Sequence, residues 1–128
     1  MTGVMINCLA VGAGGFLGAL CRMGVTSLSL RLFGRGFPVG TLVINLTGSF
    51  FLGFFLARVA RGWQVSEATQ MAVTVGFLGA YTTFSTFMYE ADAFVRTGFT
   101  ARAALYLLLS VVLGLLFVRL GVLAGGRY

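Results

Sequence analysis

Hydrophobic positions are grouped in long blocks along the chain. Four apolar stretches, at about residues 4–23, 40–57, 68–94 and 101–124, are separated by short segments that hold most of the arginines. About 20 mostly apolar residues are enough for one helix to cross a bilayer. The pattern predicts an all-α membrane protein with four transmembrane helices, folded as a single domain over residues 1–128.

Composition supports a lipid-facing surface. The chain is 59% hydrophobic and only 9% charged, whereas about a quarter of the residues in a soluble domain are charged. The net charge of +6 comes from arginines alone, and these lie mainly at segment ends, where they meet lipid headgroups rather than nucleic acid. With no histidine and three acids, a transition-metal site is not expected. Cys8 and Cys21 would lie about 20 Å apart on one helix, too far for a disulfide within the chain.

The third stretch contains an interruption. Gly76 and Gly79 precede a cluster of hydroxyl residues, namely Thr82, Thr83, Ser85 and Thr86. Glycines beside hydroxyls mark a place where a membrane helix can break, and broken backbone is tolerated there only inside protein or beside a water-filled cavity. Freed carbonyl groups at such a break can coordinate a cation. A continuous helix, with its hydroxyls bonded to the preceding turn, is the alternative.

Other polar and aromatic side chains within the apolar stretches are candidates for function. The Asn45 amide carries two donors that could bind an anion without trapping it, or it could bond across helices as structural support. Phe84 and Phe87 share a helix face and could point their positive ring edges at an anion, or simply pack. Tyr106 and Ser110, four residues apart, could line a polar path or bond between helices.

The charged residues bear on orientation. Four arginines belong to one side of the membrane, namely Arg58, Arg61, Arg119 and Arg127. Five belong to the other side, namely Arg22, Arg31, Arg35, Arg96 and Arg102. Because the positive-inside rule needs an asymmetry, this balance predicts insertion in both orientations, which would permit an antiparallel dimer. The alternative is that subtler cues select one orientation. Glu90 and Asp92 are expected at the membrane interface near Arg96.

Three segments together resemble one family over almost the whole chain. They are GGFLGALCR at residues 14–22, GTLVINLTGSF at residues 40–50 and GFLGAYTTFSTF at residues 76–87. On these segments the chain resembles the Fluc (CrcB) family of fluoride channels, and the third segment is the most specific.

The resemblance implies a passive channel, not an enzyme, in a bacterial-type inner membrane. It implies an antiparallel, dual-topology homodimer with two fluoride pores and a structural Na⁺ at the dimer centre, bound by the backbone carbonyls of Gly79 and Thr82. The partners would be a second copy of the chain, fluoride and lipid. The matching pore positions are Asn45, Phe84, Phe87, Tyr106 and Ser110, and Thr83 is placed with them.

Two other hypotheses fit a small four-helix membrane protein. A small multidrug-type, proton-coupled exporter would need an acid within its first helix, and residues 4–21 contain none. A structural subunit of a larger membrane complex would show no transport on its own.

Overall fold

The computed structural model describes residues 2–126. The helices are α1 (Thr2–Phe33), α2 (Val39–Ala60), α3 (residues 67–81), α4 (Phe84–Arg96) and α5 (Thr100–Gly125). Four stretches are long and apolar enough to cross a membrane, with α3 and α4 together forming the third, Glu67–Arg96. The prediction of an all-helical chain with four membrane-spanning segments is therefore confirmed.

The first helix is longer than the sequence suggested. The first apolar stretch was predicted at about residues 4–23, but α1 continues to Phe33 and only residues 34–38 connect it to α2. Ser29 is buried. A Cβ added to Gly40 would lie 3.2 Å from the Ser29 Cβ, so this part of α1 packs against α2. The helix ends at Gly34, whose φ of +71° suits glycine.

The third span is interrupted, as predicted. Helix α3 contains a stretch of π-helix, Ala72–Leu78, and ends at Tyr81. Thr82 and Thr83 are extended, with ψ values of 159° and 113°, before α4 begins. Gly79 keeps helical dihedrals, with φ −64° and ψ −38°, so the chain breaks after the glycines, at the two threonines.

Helix α1 packs closely against the π-helical part of α3. A Cβ added to Gly14 would overlap the carbonyl oxygen of Ala72, and one added to Gly18 would overlap that of Phe77. Both positions need glycine because backbone faces backbone there. Two small residues four positions apart on one helix face allow such a close approach.

Helices α2, α4 and α5 meet in a small aromatic core. Its buried members are Phe87, Ala91 and Tyr106. The Phe37 and Phe87 rings contact the Tyr106 ring edge-on, with centroid separations of 5.3 Å and 4.9 Å. This packing fixes the Tyr106 ring and so determines where its hydroxyl points. Much of the outer surface is apolar and exposed, as a lipid-facing surface must be.

Candidate functional site

Asn45 bridges the helix break. Its Nδ2 donates to the carbonyl oxygen of Thr83 at 3.0 Å, and its Oδ1 accepts from the Thr83 backbone N–H at 2.9 Å. Unpaired backbone groups are costly at membrane depth, and one amide side chain satisfies both groups of the residue at the break. Asn45 therefore has the structural role that the sequence left as one of two alternatives. An amide nitrogen carries two hydrogens, so a second N–H remains beside the one given to Thr83.

Thr83 begins the following helix. Its Oγ1 accepts from the Thr86 backbone N–H at 3.3 Å and donates to the Thr86 hydroxyl at 2.9 Å. This is an N-cap on α4. The Thr83 hydroxyl is therefore already engaged within the protein.

The same hydrogen bonds release two backbone carbonyls. In a continuous helix the Thr83 N–H would bond to Gly79 and the Thr86 N–H to Thr82. Here these N–H groups donate to Asn45 and to the Thr83 hydroxyl instead. Gly79 also lies on the exposed surface of the chain. The carbonyls of Gly79 and Thr82 thus lack their usual helical donors.

A cavity of 390 Å³ lies beside the break. None of the residues that line this cavity is charged. The lining consists of Asn45, Gly48, Ser49, Leu52, Thr74, Leu78, Gly79, Thr82, Thr83, Phe84, Phe87, Ser110 and Val111. The structure therefore brings together seven of the eight predicted site residues. The exception is Tyr106, which lies behind the Phe87 ring.

Most polar groups that line this cavity are already paired. The hydroxyls of Ser49, Thr74 and Thr82 donate to backbone carbonyls one turn earlier in their own helices. The Ser110 hydroxyl oxygen is buried without a hydrogen-bond partner. Buried polar groups nearly always have partners, so Ser110 is the group in this lining that most needs a ligand.

The two predicted phenylalanines occupy different environments. Phe87 is 6% exposed and Phe84 is 73% exposed. Their ring centroids are 6.1 Å apart and the rings meet edge-on. Phe87 is part of the core, whereas Phe84 stands on the open side of the cavity.

Tyr106 takes part in a second polar cluster that the sequence did not predict. Its hydroxyl donates to Glu90 Oε2 at 2.8 Å, and the Thr41 hydroxyl donates to Glu90 Oε1 at 2.8 Å. Tyr106 and Thr41 are buried. The Glu90 side chain thus joins α2, α4 and α5, and its expected position near the membrane interface stays a prediction.

A second cavity, of 320 Å³, lies between the helix break, the Glu90 cluster and an arginine. Thr83 lines it as well as the first cavity, and Arg22, Thr41, Thr86 and Glu90 lie along its walls. Tyr81 is buried and shares a hydrogen bond of 2.9 Å with the Thr47 hydroxyl.

These features define a class of protein. Four membrane-spanning helices, one of them broken beside an uncharged cavity with an unpaired hydroxyl, are typical of proteins that move small solutes across membranes. Residues 9–122 match the family described as CrcB-like protein, Camphor Resistance (CrcB). The chain belongs to this family.

Relatives support the assignment over nearly the whole chain. The fluoride-specific ion channel FluC of Hydrogenovibrio crunogenus is 40% identical over 124 residues, which cover 97% of this chain and 94% of the relative. That of Acidobacterium capsulatum is 43% identical over 119 residues, covering 93% and 95%. That of Methylococcus capsulatus is 43% identical over 122 residues, which are 95% of this chain and 54% of the relative. This chain is thus a multi-pass membrane protein of a bacterial channel family, not an enzyme.

Proposed function

We propose that the chain forms a passive, fluoride-selective channel through which F⁻ leaves the cell down its electrochemical gradient. The observation that carries the proposal is the unpaired Ser110 hydroxyl, which lies in one uncharged cavity with Asn45 and both phenylalanines. The names of the relatives point to the same ion.

The chemistry of the cavity suits a small, strongly hydrated anion. Fluoride must exchange its hydration shell for hydrogen-bond donors, and here the donors are the Ser110 hydroxyl and the second N–H of Asn45. Both donors are neutral, so they bind the ion less tightly than a fixed positive charge would, and the ion can leave again. Aromatic ring edges at Phe84 and Phe87 add a weaker attraction.

The working unit in this proposal is an antiparallel homodimer with two pores. The balanced arginine distribution over residues 1–128 permits both orientations in a bacterial inner membrane. Phe84 lines the cavity, yet its side chain is 73% exposed in the single chain. A second copy of the chain would cover this side of the cavity. The whole chain acts as one domain in this arrangement.

A structural Na⁺ fits the carbonyl groups at the break. Oxygen ligands suit a hard cation, and the carbonyls of Gly79 and Thr82 lack their usual helical donors. These two groups, from both copies, would hold the ion. When bound it would supply a positive charge near the pores and link the two copies.

The proton-coupled exporter is not favoured. The relatives are named as channels, and Glu90 accepts hydrogen bonds from both Thr41 and Tyr106. A structural subunit would show no transport when purified alone.

Fluoride efflux from liposomes tests the proposal. Vesicles that contain the purified protein should lose fluoride quickly and chloride little, as read by ion-selective electrodes, and an imposed proton gradient should not be required. Well-folded protein that releases no fluoride, or releases chloride equally fast, would contradict it. Flux that requires a proton gradient would favour the exporter instead.

A further inference from the structure

A separate cavity of 450 Å³ opens at one membrane face. It lies where α1 and α4 end and where α2 and α5 begin. Its lining combines two arginines, Arg35 and Arg102, with the Thr97 hydroxyl and the aromatic side chains of Phe37, Phe94 and Phe99. A cationic rim above an aromatic floor, at the ends of spanning helices, matches the boundary between lipid headgroups and acyl chains.

Neither rim arginine forms an ion pair with an acidic residue in the part of the chain that the structure describes. Among the described residues 2–126, the only ion pair joins Asp92 and Arg96. The Arg102 guanidinium lies 4.6 Å from the centroid of the Phe99 ring, a cation–π contact that orients it. Glu90 is the one acid in the lining. Its Oε1 accepts a hydrogen bond from Thr41 and its Oε2 accepts one from Tyr106. The rim is therefore positive and unpaired.

The floor of the cavity is apolar and well packed. The rings of Phe37 and Phe94 stack with centroids 6.2 Å apart, and Leu30 and Ala93 extend the same surface. Such a floor offers contact to hydrocarbon rather than to a free inorganic ion.

We propose that this cavity is a binding site for an anionic phospholipid. The lipid phosphate binds between Arg35 and Arg102, and the first part of an acyl chain lies on Phe37 and Phe94. Arginine is well suited to phosphate because its donors match the phosphate oxygens. The proposal does not depend on which ion the chain conducts.

The floor also connects the cavity to the polar cluster. Phe37 and Phe94 contact the Tyr106 ring, with centroid distances of 5.3 Å and 6.3 Å. A bound lipid would therefore lie one layer of side chains away from the Tyr106–Glu90 hydrogen bond. Through this layer, lipid binding would stabilise the packing that positions Tyr106.

Native mass spectrometry of the full-length protein in detergent tests the site. Delipidated protein is titrated with phosphatidylglycerol, with phosphatidylcholine and with inorganic phosphate. We expect phosphatidylglycerol to bind preferentially, and R35Q or R102Q to weaken it by about fivefold each, since one arginine near anionic lipid contributes ~1 kcal/mol. R31Q is the matched control, because Arg31 is exposed at the same membrane face and does not line the cavity.

Three results would overturn the assignment. An equal loss in R31Q would show attraction to general surface charge. Competition by inorganic phosphate at the same concentration as the lipid would show a small-anion site. Equal binding of both lipids by the wild-type protein would show no charge selection, and this comparison needs no variant. If the glutamine variants fail to fold, R35K and R102K, which keep the charge but lose the forked geometry, should show weaker binding than the wild type.

Discussion

Asn45 and Thr83 exchange two hydrogen bonds across 38 residues of chain, at 3.0 Å and 2.9 Å, and so close the break in the third span. The side chain that the sequence nominated for anion binding is thus also the support of the backbone at the cavity. One N–H of its amide donates to Thr83, and the second N–H is the donor that the proposed anion site uses.

Substituting Asn45 by Asp should separate the two roles. Aspartate retains an acceptor for the Thr83 N–H but loses the donor to the Thr83 carbonyl and places a negative charge in the cavity. Fluoride efflux from liposomes should fall by more than about tenfold, because ~1.4 kcal/mol is enough for that factor. Asn45→Ala should in addition lower the free energy of unfolding by about 1–3 kcal/mol for each backbone group left unpaired.

The matched control for Asn45 is Ser49→Ala. Ser49 lines the same cavity, but its hydroxyl donates to the Asn45 carbonyl within its own helix. Loss of the Ser49 hydroxyl should change fluoride efflux by less than about twofold, compared with the fall of about tenfold or more that is expected for Asn45→Asp. Unchanged efflux in Asn45→Asp would remove Asn45 from the ion path.

Ser110→Ala addresses the unpaired hydroxyl. Its oxygen is buried and has no partner, so its removal should leave thermal stability unchanged or raise it by up to about 1 kcal/mol. Efflux should nevertheless fall severalfold, because one of two donors in the cavity is lost while Asn45 remains. A variant that is destabilised instead would mean that Ser110 bonds within the protein.

The four spans could be predicted from sequence because each depends on its own local composition. The break could be predicted within the run of residues 76–87, but not the residues at which the backbone opens. It opens at Thr82 and Thr83, where Asn45 supplies the missing hydrogen-bond partners. Asn45 belongs to another helix, so the conformational preferences of residues 76–87 do not reveal its position.

The hydrogen-bond partners of Glu90 could not be predicted for a similar reason. An acid a few residues from a helix end is normally solvated, and the sequence gives no sign of where its side chain turns. Its two partners come from α2 and α5, and only the packing of those helices brings Thr41 and Tyr106 to its carboxylate. The same nonlocal packing buries Ser29 and extends α1 beyond the expected bound.

Thr41→Val tests the Glu90 cluster. Valine has the shape of threonine without the hydroxyl, so Glu90 loses one donor while the buried volume is kept. We expect unfolding to become easier by about 1–3 kcal/mol, as measured by thermal denaturation, together with lower efflux. Thr41→Ser retains the hydroxyl and should keep the stability close to wild type. Equal behaviour of the two variants would show that the bond to Glu90 contributes nothing.

The two phenylalanines should respond differently to truncation. Phe87 belongs to the core, so Phe87→Ala should cost about 3–5 kcal/mol in stability. Phe84 is 73% exposed, and Phe84→Ala should leave the fold intact while lowering efflux and weakening dimers. Size-exclusion chromatography and efflux measured on the same preparations check this. If Phe84→Ala conducts normally, its ring does not belong to the pore.

Gly14 and Gly12 form a pair of nearby positions on α1 with opposite expectations. A Cβ at Gly14 would overlap the Ala72 carbonyl oxygen, whereas one at Gly12 meets nothing within 4 Å. Gly14→Ala should force α1 away from the π-helical segment and cost about 1–3 kcal/mol. Gly12→Ala should be neutral or stabilise the helix by up to about 1 kcal/mol, since alanine is the better helix former. Because that helix-forming gain is common to both substitutions, the difference between their melting temperatures isolates the contact with Ala72. If the two variants melt together, α1 does not lie against the π-helical segment as closely as described.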